Sequence, residues 1–165
     1  MKHMTGLNKS NDEYYTPHEV WANIDRYLPK ERVVWECFYS SDSRSAEHLR
    51  SLGCTVVYED VDFFTNDIGE CIVTNPPFSM KEKVVARLHA LDKPFILLLP
   101  IHSVCTRFVR NLFKNKLQLI IPQSRIHYER KDIKTGKIDT LKNTSFYSIY
   151  VCYKMNLPTD IVWLH

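Results

Sequence analysis

The chain has 165 residues, 44% of them apolar and 25% charged, the balance of one soluble globular domain over residues 1–165 rather than a disordered or fibrous chain. Lys and Arg number 22 against 19 Asp and Glu, and a net charge of +3 selects no class of partner. The longest apolar run, Pro94 to Ile101, is far short of a bilayer span, which excludes a membrane-spanning helix. The N-terminal Met-Lys-His-Met-Thr-Gly lacks the apolar stretch of a secretory signal. Five cysteines (Cys37, Cys54, Cys71, Cys105 and Cys152) are odd in number and form no C-x-x-C pair. They read as small buried hydrophobes of a reducing, intracellular compartment, cytoplasmic or nuclear. The histidines show no H-x-x-x-H spacing, so no metal site is expected.

After a polar start, Thr16-Pro17-His18-Glu19 reads as a helix start, with Thr16 as N-cap, Pro17 as first helical residue and Glu19 completing a capping box. Val20, Trp21, Ile24 and Leu28 follow at helical spacing and predict one apolar face. Val33-Val34-Trp35 predicts a short buried strand ending at Glu36. A helix over 43–52 carries Ala46, Leu49 and Leu52 on one stripe and stops at Gly53. Thr55 to Tyr58 is the next strand and ends in Glu59-Asp60. Cys71 to Thr74 is a third strand that runs into Asn75-Pro76-Pro77-Phe78, after which Ser79 and Glu82 form a second capping box. The helix they open carries Val84, Val85, Leu88 and Leu91.

Phe95 to Leu99 is an unbroken apolar run, the mark of a central parallel strand covered on both faces. A helix from Ser103 to Phe113 is expected to bury Val104, Phe108, Val109 and Leu112, and Leu117 to Ile121 is again a strand. Ser124 to Tyr128 and Ser145 to Tyr153 predict two further strands without a helix between them, which should pair antiparallel. The alternation predicts an α/β fold: a mostly parallel sheet with helices on both faces and an antiparallel hairpin at one edge.

Asn75-Pro76-Pro77-Phe78 stands at the carboxyl end of a strand, where open α/β sheets bind ligands. Two prolines fix φ and remove two N–H donors, leaving a stiff loop that presents carbonyl oxygens. Asn75 adds a side-chain acceptor and Phe78 an aromatic face, the set that recognition of a planar exocyclic amine requires. A rigid strand-to-helix turn with Phe78 in the core is the plainer alternative.

On these residues the chain resembles the S-adenosylmethionine-dependent N6-adenine methyltransferases of the phage and viral type, whose motif N/D-P-P-Y/F/W binds the target adenine. The resemblance covers nearly the whole chain and implies a Rossmann-like class I methyltransferase fold. It assigns Asn75, Pro76, Pro77 and Phe78 to the acceptor base. Tyr14-Tyr15-Thr16-Pro17 is similar to the family's Y-T-P segment, which lies against the methionine part of the cofactor. Glu36 matches the acidic residue of the cofactor loop, and Phe38 and Ser40 follow it there. Glu59-Asp60 stands where an acid holds the ribose hydroxyls, with Asp60 ahead of Glu59. Asp62-Phe63 resembles the pair that contacts the cofactor's adenine, the Asp accepting from its amine and the Phe packing on its ring. Arg125-Ile126-His127-Tyr128 resembles the strand whose aromatic residue packs on the target base, here Tyr128. The chain departs from the family after its first strand: Glu36-Cys37-Phe38-Tyr39-Ser40-Ser41-Asp42 contains no glycine, and Ser40 and Asp42 hold the usual glycine positions. Without the Asn75 motif, Glu59, Asp60 and Asp62 would read as a solvated strand end and a turn.

Residues 114–142 hold eight Lys and Arg (Arg125 and Lys131 among them) against three Asp and Glu, a net of +5 that leaves −2 for the rest. This reads either as a footprint for a phosphate backbone or as a solvated hairpin loop. The resemblance implies methyl transfer to adenine N6 in DNA or RNA, with DNA ahead; glutamine amides and cytosine N4 are chemically related acceptors. The competing reading is a methyltransferase-like nucleic-acid-binding or scaffolding subunit that has lost its cofactor. The chain is too short for a separate target-recognition domain, so sequence choice falls to the hairpin or to a partner, a second copy or another subunit.

Overall fold

A computed structural model describes residues 14–38, 44–132, 135–142 and 144–165. Nine strands are described: β1 (Val33–Trp35), β2 (Thr55–Val57), β3 (Cys71–Thr74), β4 (Phe95–Pro100), β5 (Leu117–Ile121), β6 (Tyr128–Lys131), β7 (Ile138–Leu141), β8 (Ser148–Tyr153) and β9 (Ile161–Trp163). The helices are α1 (His18–Ala22), α2 (Arg44–Ser51), α3 (Lys81–Leu91) and α4 (Arg107–Phe113).

Seven strands form one sheet in the order β2-β1-β3-β4-β8-β5-β9, and β6 and β7 form a separate antiparallel hairpin. The chain steps outward from β1 to β2, then returns to place β3 on the other side of β1. That reversal leaves a crevice above the carboxyl ends of β1 and β3, the switch point of a doubly wound α/β fold. All six residues of β4 and all six of β8 are buried, so the middle of the sheet is covered on both faces. Val34, Val73, Ile96, Tyr150 and Cys152 pack on one face with Trp21, Ile24 and Leu49 from the α1–α2 side. Trp35, Ile72, Leu97, Leu99 and Val151 pack on the other with Val84, Leu88, Val109 and Phe113 of α3 and α4. The period-2 alternation of these strands is what sends neighbouring residues to opposite layers.

The α/β class and the mostly parallel sheet match the sequence expectation, and several particulars do not. β8 pairs antiparallel with β4 on one side and β5 on the other, so the antiparallel strand lies inside the sheet. The hairpin pairs 128–131 with 138–141 rather than 124–128 with 145–153. β9, parallel to β5, forms the edge and is not signalled in sequence, its three residues following Pro158-Thr159-Asp160 directly. The helix starts differ from those expected. Pro17, not Thr16, is the residue before α1, Met80 precedes α3, and neither helix start has a side-chain cap hydrogen bond. Residues 101–103 form a separate 3-10 turn, and α4 starts only after Thr106, whose Oγ1 accepts from the Val109 N–H at 3.3 Å. Phe108 consequently points outward, 37% exposed. Four cysteines are buried as expected and Cys105 is exposed. Burial pushes the Cys71 and Cys152 thiols up to about 12, so both remain neutral. Among the described residues no helix is long and apolar enough to cross a membrane.

Gly69 enters β3 with φ +66°, and a Cβ there would come within 2.9 Å of the Val33 carbonyl oxygen. Gly136 has a similar φ of +68° with nothing within 4 Å. Gly69→Ala is therefore expected to cost about 2–4 kcal/mol and Gly136→Ala about 1 kcal/mol, measured by urea denaturation of both variants.

Candidate functional site

The crevice is closed from below by one carboxyl group. Glu36, the first residue beyond β1, is 3% exposed. Thr74 Oγ1, at the end of β3, donates to Glu36 Oε1. Ser45 Oγ of α2 donates to Glu36 Oε2 at 2.7 Å, and the Phe38 N–H donates to Oε1 at 3.4 Å. Trp21 Nε1 donates to Ser45 Oγ at 3.2 Å, extending the network into α1. Burial outweighs these donors and raises the Glu36 carboxyl from 4.5 to about 7. Both carboxyl oxygens are thus committed inside the fold, and Glu36 positions the loops above it.

Asn75 follows Thr74 directly and is half-buried. Its Nδ2 donates to the Tyr14 carbonyl at 3.3 Å, while its Oδ1 is buried and has no hydrogen-bond partner among the described residues. Pro77 is extended (φ −61°, ψ 122°), and Phe78 begins a 3-10 turn that leads into α3. The Phe78 ring stacks on Tyr14 at 5.8 Å between centroids and meets Tyr128 at 6.1 Å and Phe146 at 5.1 Å. Tyr14 also contacts Tyr128 at 5.6 Å and Phe146 at 6.0 Å, so the four rings form one compact cluster beside Asn75. Tyr128 is the inner wall of that cluster: fully buried, its hydroxyl donates to Ser148 Oγ at 2.8 Å, and burial pushes its pKa up.

The N-terminal segment is strapped over the site. Tyr15 pairs with Glu129 of β6 through two main-chain hydrogen bonds of 2.8 and 3.0 Å. Arg44 of α2 lies 4.5 Å from the Tyr15 ring centroid and forms an ion pair with Glu129 at 2.9 Å. Thr16 and Pro17 are buried beneath the strap. Tyr14 and Phe146 are the ring partners that sequence reasoning missed. The sequence places Tyr14 only in the segment set against the cofactor and Phe146 only in the strand expected over 145–153, and no local signal pairs either ring with Phe78.

Other named residues divide into those that face the crevice rim and those that do not. Asp60, beyond β2, is exposed, and Asp62 is half-buried with Oδ1 accepting from the Phe64 N–H at 2.9 Å, a turn-closing bond. Phe63 is 3% exposed and packs on Trp35 at 5.6 Å and on the half-buried Phe38 at 5.1 Å, which places its ring in the core. Ser40 lies outside the described residues. Arg125 donates to the Thr144 carbonyl at 3.0 Å and sits over the Tyr147 ring at 4.1 Å. Lys131 pairs with Ile138 through the β6–β7 ladder.

No family model and no curated protein matches the sequence. Among solved structures, the chain is similar to a precorrin-6y C5,15-methyltransferase from Geobacter metallireducens, at 12% identity, TM-score 0.43, covering 87% of this chain and 96% of that one. It is similar to a SAM-dependent O-methyltransferase from Thermotoga maritima at 8% identity and TM-score 0.47, covering 82% of this chain and 64% of that one. A tRNA (m1A58) methyltransferase from Aquifex aeolicus aligns at 15% identity and TM-score 0.41, over 93% and 71% of the two chains.

Because the folded carboxyl at position 36 titrates near 7 rather than 4.5, it favours the folded state at low pH, an advantage fully present below pH 4.5 and lost as pH rises through 7. Glu36→Gln, permanently neutral and of the same shape, should therefore gain on the wild type between pH 5 and pH 8. The relative gain should be on the order of 2–3 kcal/mol, read from urea midpoints of both proteins at the two pH values.

Proposed function

We propose that this protein is an S-adenosylmethionine-dependent methyltransferase whose acceptor is the N6 amine of adenine in nucleic acid. The observation that carries this reading is the buried Asn75 Oδ1, an acceptor without a donor, set against an aromatic ring at the carboxyl end of a central strand. A buried acceptor left unpaired costs about 1–3 kcal/mol, a cost that an amine donor arriving from a ligand removes. The doubly wound topology supports the reading, since its switch point lies between β1 and β3.

The residues fit the cofactor in part. Asp60 is available to ribose hydroxyls, Asp62 to an adenine amine and the half-buried Phe38 to a ring face. Glu36 serves instead as the buried support that holds the β1 and β3 loops together. When bound, S-adenosylmethionine supplies an electrophilic sulfonium methyl group.

The chain's own contribution is to the acceptor. The lone pair of an adenine amine is delocalised into the ring and is a poor nucleophile. Hydrogen bonds from that amine to Asn75 Oδ1 and the Pro76 carbonyl pull the nitrogen toward tetrahedral geometry and localise the pair. No strong base is required, because the methylated amine is acidic and releases its proton to water. Catalysis is then positioning and electrostatic preorganisation. Tyr14 and Phe78 are already in contact, so a base that stacks on Phe78 displaces the Tyr14 ring. Such a base must be unpaired or flipped out of a duplex.

A second reading, a binding or scaffolding subunit without cofactor, is favoured by the interior position of Phe63 and by the glycine-free segment after β1. Calorimetric titration with S-adenosylmethionine separates the two. Saturable binding is expected, weakened about tenfold by Asp60→Ala. Asn75→Ala should keep cofactor affinity within about threefold while lowering methyl transfer to adenine-containing oligonucleotides by about 100-fold or more. No heat and no thermal stabilisation would overturn the enzyme reading for the chain by itself, leaving a fold that has lost catalysis or one whose site a partner chain completes.

A further inference from the structure

A second concave site lies on the same rim of the sheet as Asn75. Strands β5 and β9 run parallel to each other, and both are antiparallel to the direction of β8, as β4 is, so their carboxyl ends share the edge on which β3 ends. Between those ends and the α1 side opens a cleft of about 450 Å³. Its walls include Arg26, Tyr27, Gln123, Arg125, His127 and Trp163, with Glu19 as the acid on the α1 wall. In sheet order three strand spacings separate β3 from β5, so the cleft lies roughly 15–20 Å from Asn75.

The chemistry of this cleft is unlike that of an ordinary solvated edge. Trp163 is 63% exposed, against zero for Trp21 and Trp35. Tyr147, 58% exposed just before β8, has the Arg125 guanidinium of the cleft wall 4.1 Å from its ring centroid, and Arg26 stands 5.0 Å from the ring centroid of Tyr27. Exposed aromatic faces interleaved with guanidinium groups stack on bases while meeting phosphates, the combination that holds a single strand. A duplex hides its base faces and offers an indole nothing to stack on. Residues 125–128 connect the two sites: Arg125, Ile126 and His127 line the cleft, while Tyr128 is buried in the aromatic cluster at Phe78.

We infer that the cleft at the carboxyl ends of β5 and β9 binds single-stranded nucleic acid, with Trp163 as its stacking platform. This rests on the nucleic-acid reading above and narrows it: the acceptor is a base in an unpaired strand that runs from this cleft to Asn75.

Tryptophan fluorescence tests it directly, because Trp163 is the exposed one of the chain's three tryptophans. Mixed-sequence 12-mers, as single-stranded DNA, single-stranded RNA and duplex DNA, are titrated into the full chain without cofactor. Either single strand is expected to quench the emission and the duplex to leave it unchanged; the stronger of the two single strands identifies the sugar. By anisotropy of the labelled 12-mer, Trp163→Ala should weaken binding about tenfold or more and Trp163→Phe should restore most of it. Arg26→Gln should reduce the salt slope of binding by about 0.7 if it meets one phosphate. Quenching as strong with duplex, or Trp163→Ala binding like the wild type while melting at the same temperature, would overturn the assignment. So would a dimer in sedimentation whose Trp163 is shielded from iodide. Quenching without any methyl transfer would uphold the cleft and remove the catalytic reading, whereas methyl transfer to adenine with no Trp163-dependent binding would overturn the cleft alone.

Discussion

The hydrogen bond from Thr74 to Glu36 joins the carboxyl ends of the two strands that flank the switch point, and most of the site hangs from it. β1 is three residues long and β3 four, too few for their own ladder to fix the loops that follow. The buried carboxyl does so by drawing donors from three directions: Thr74 from β3, Ser45 from α2 and the main chain at Phe38. Trp21 then ties Ser45 to α1, and Tyr150 of β8 donates from its hydroxyl to the Val20 carbonyl of the same helix. A charge or dipole at this depth is tolerable only when its hydrogen bonds are met, and so the network behaves as one unit.

That support explains how Asn75 can keep an unpaired oxygen. Asn75 is held from behind by Thr74, stiffened from ahead by Pro76 and Pro77, and pinned through Nδ2 to the Tyr14 carbonyl. It cannot rotate to satisfy Oδ1 without breaking one of these. The strap that carries Tyr14 is in turn fixed by the Tyr15–Glu129 pair and by Arg44, so the hairpin, α2 and the N-terminal segment meet at the aromatic cluster.

The placement of β8 organises the other half of the molecule. By entering antiparallel between β4 and β5, it pushes β5 and β9 outward and carries Phe146, two residues before it, to the side of Phe78. The same insertion spreads the carboxyl rim from β3 to β9, which separates the aromatic cluster at Asn75 from the cleft at Trp163. β9 has an exposed-buried-exposed pattern, so its alternation turns Trp163 outward while Val162 closes the core.

The sequence by itself determined the α/β class, the strands from β1 to β5, the two-layer core and the position of Asn75-Pro76-Pro77-Phe78 at a strand end. Each is a local matter of period, apolar runs and proline stereochemistry, readable within a dozen residues. The tertiary structure alone decided that Glu36, read from the resemblance as the acid of the cofactor loop, has both carboxyl oxygens engaged inside the fold. The same is true of the interior places of Phe63 and Tyr128, and of the pairing of Tyr14 and Phe146 with Phe78. Ser45 lies 9 residues from Glu36 and Thr74 38, and no local pattern reports such partners. The same limit hid the pairing of β8 with β4 and β5 and the edge strand β9, whose three residues are a strand only because Leu119 to Ile121 offers a ladder. Burial and strand order are sums over the whole chain, and the sequence holds them only through the packing it produces.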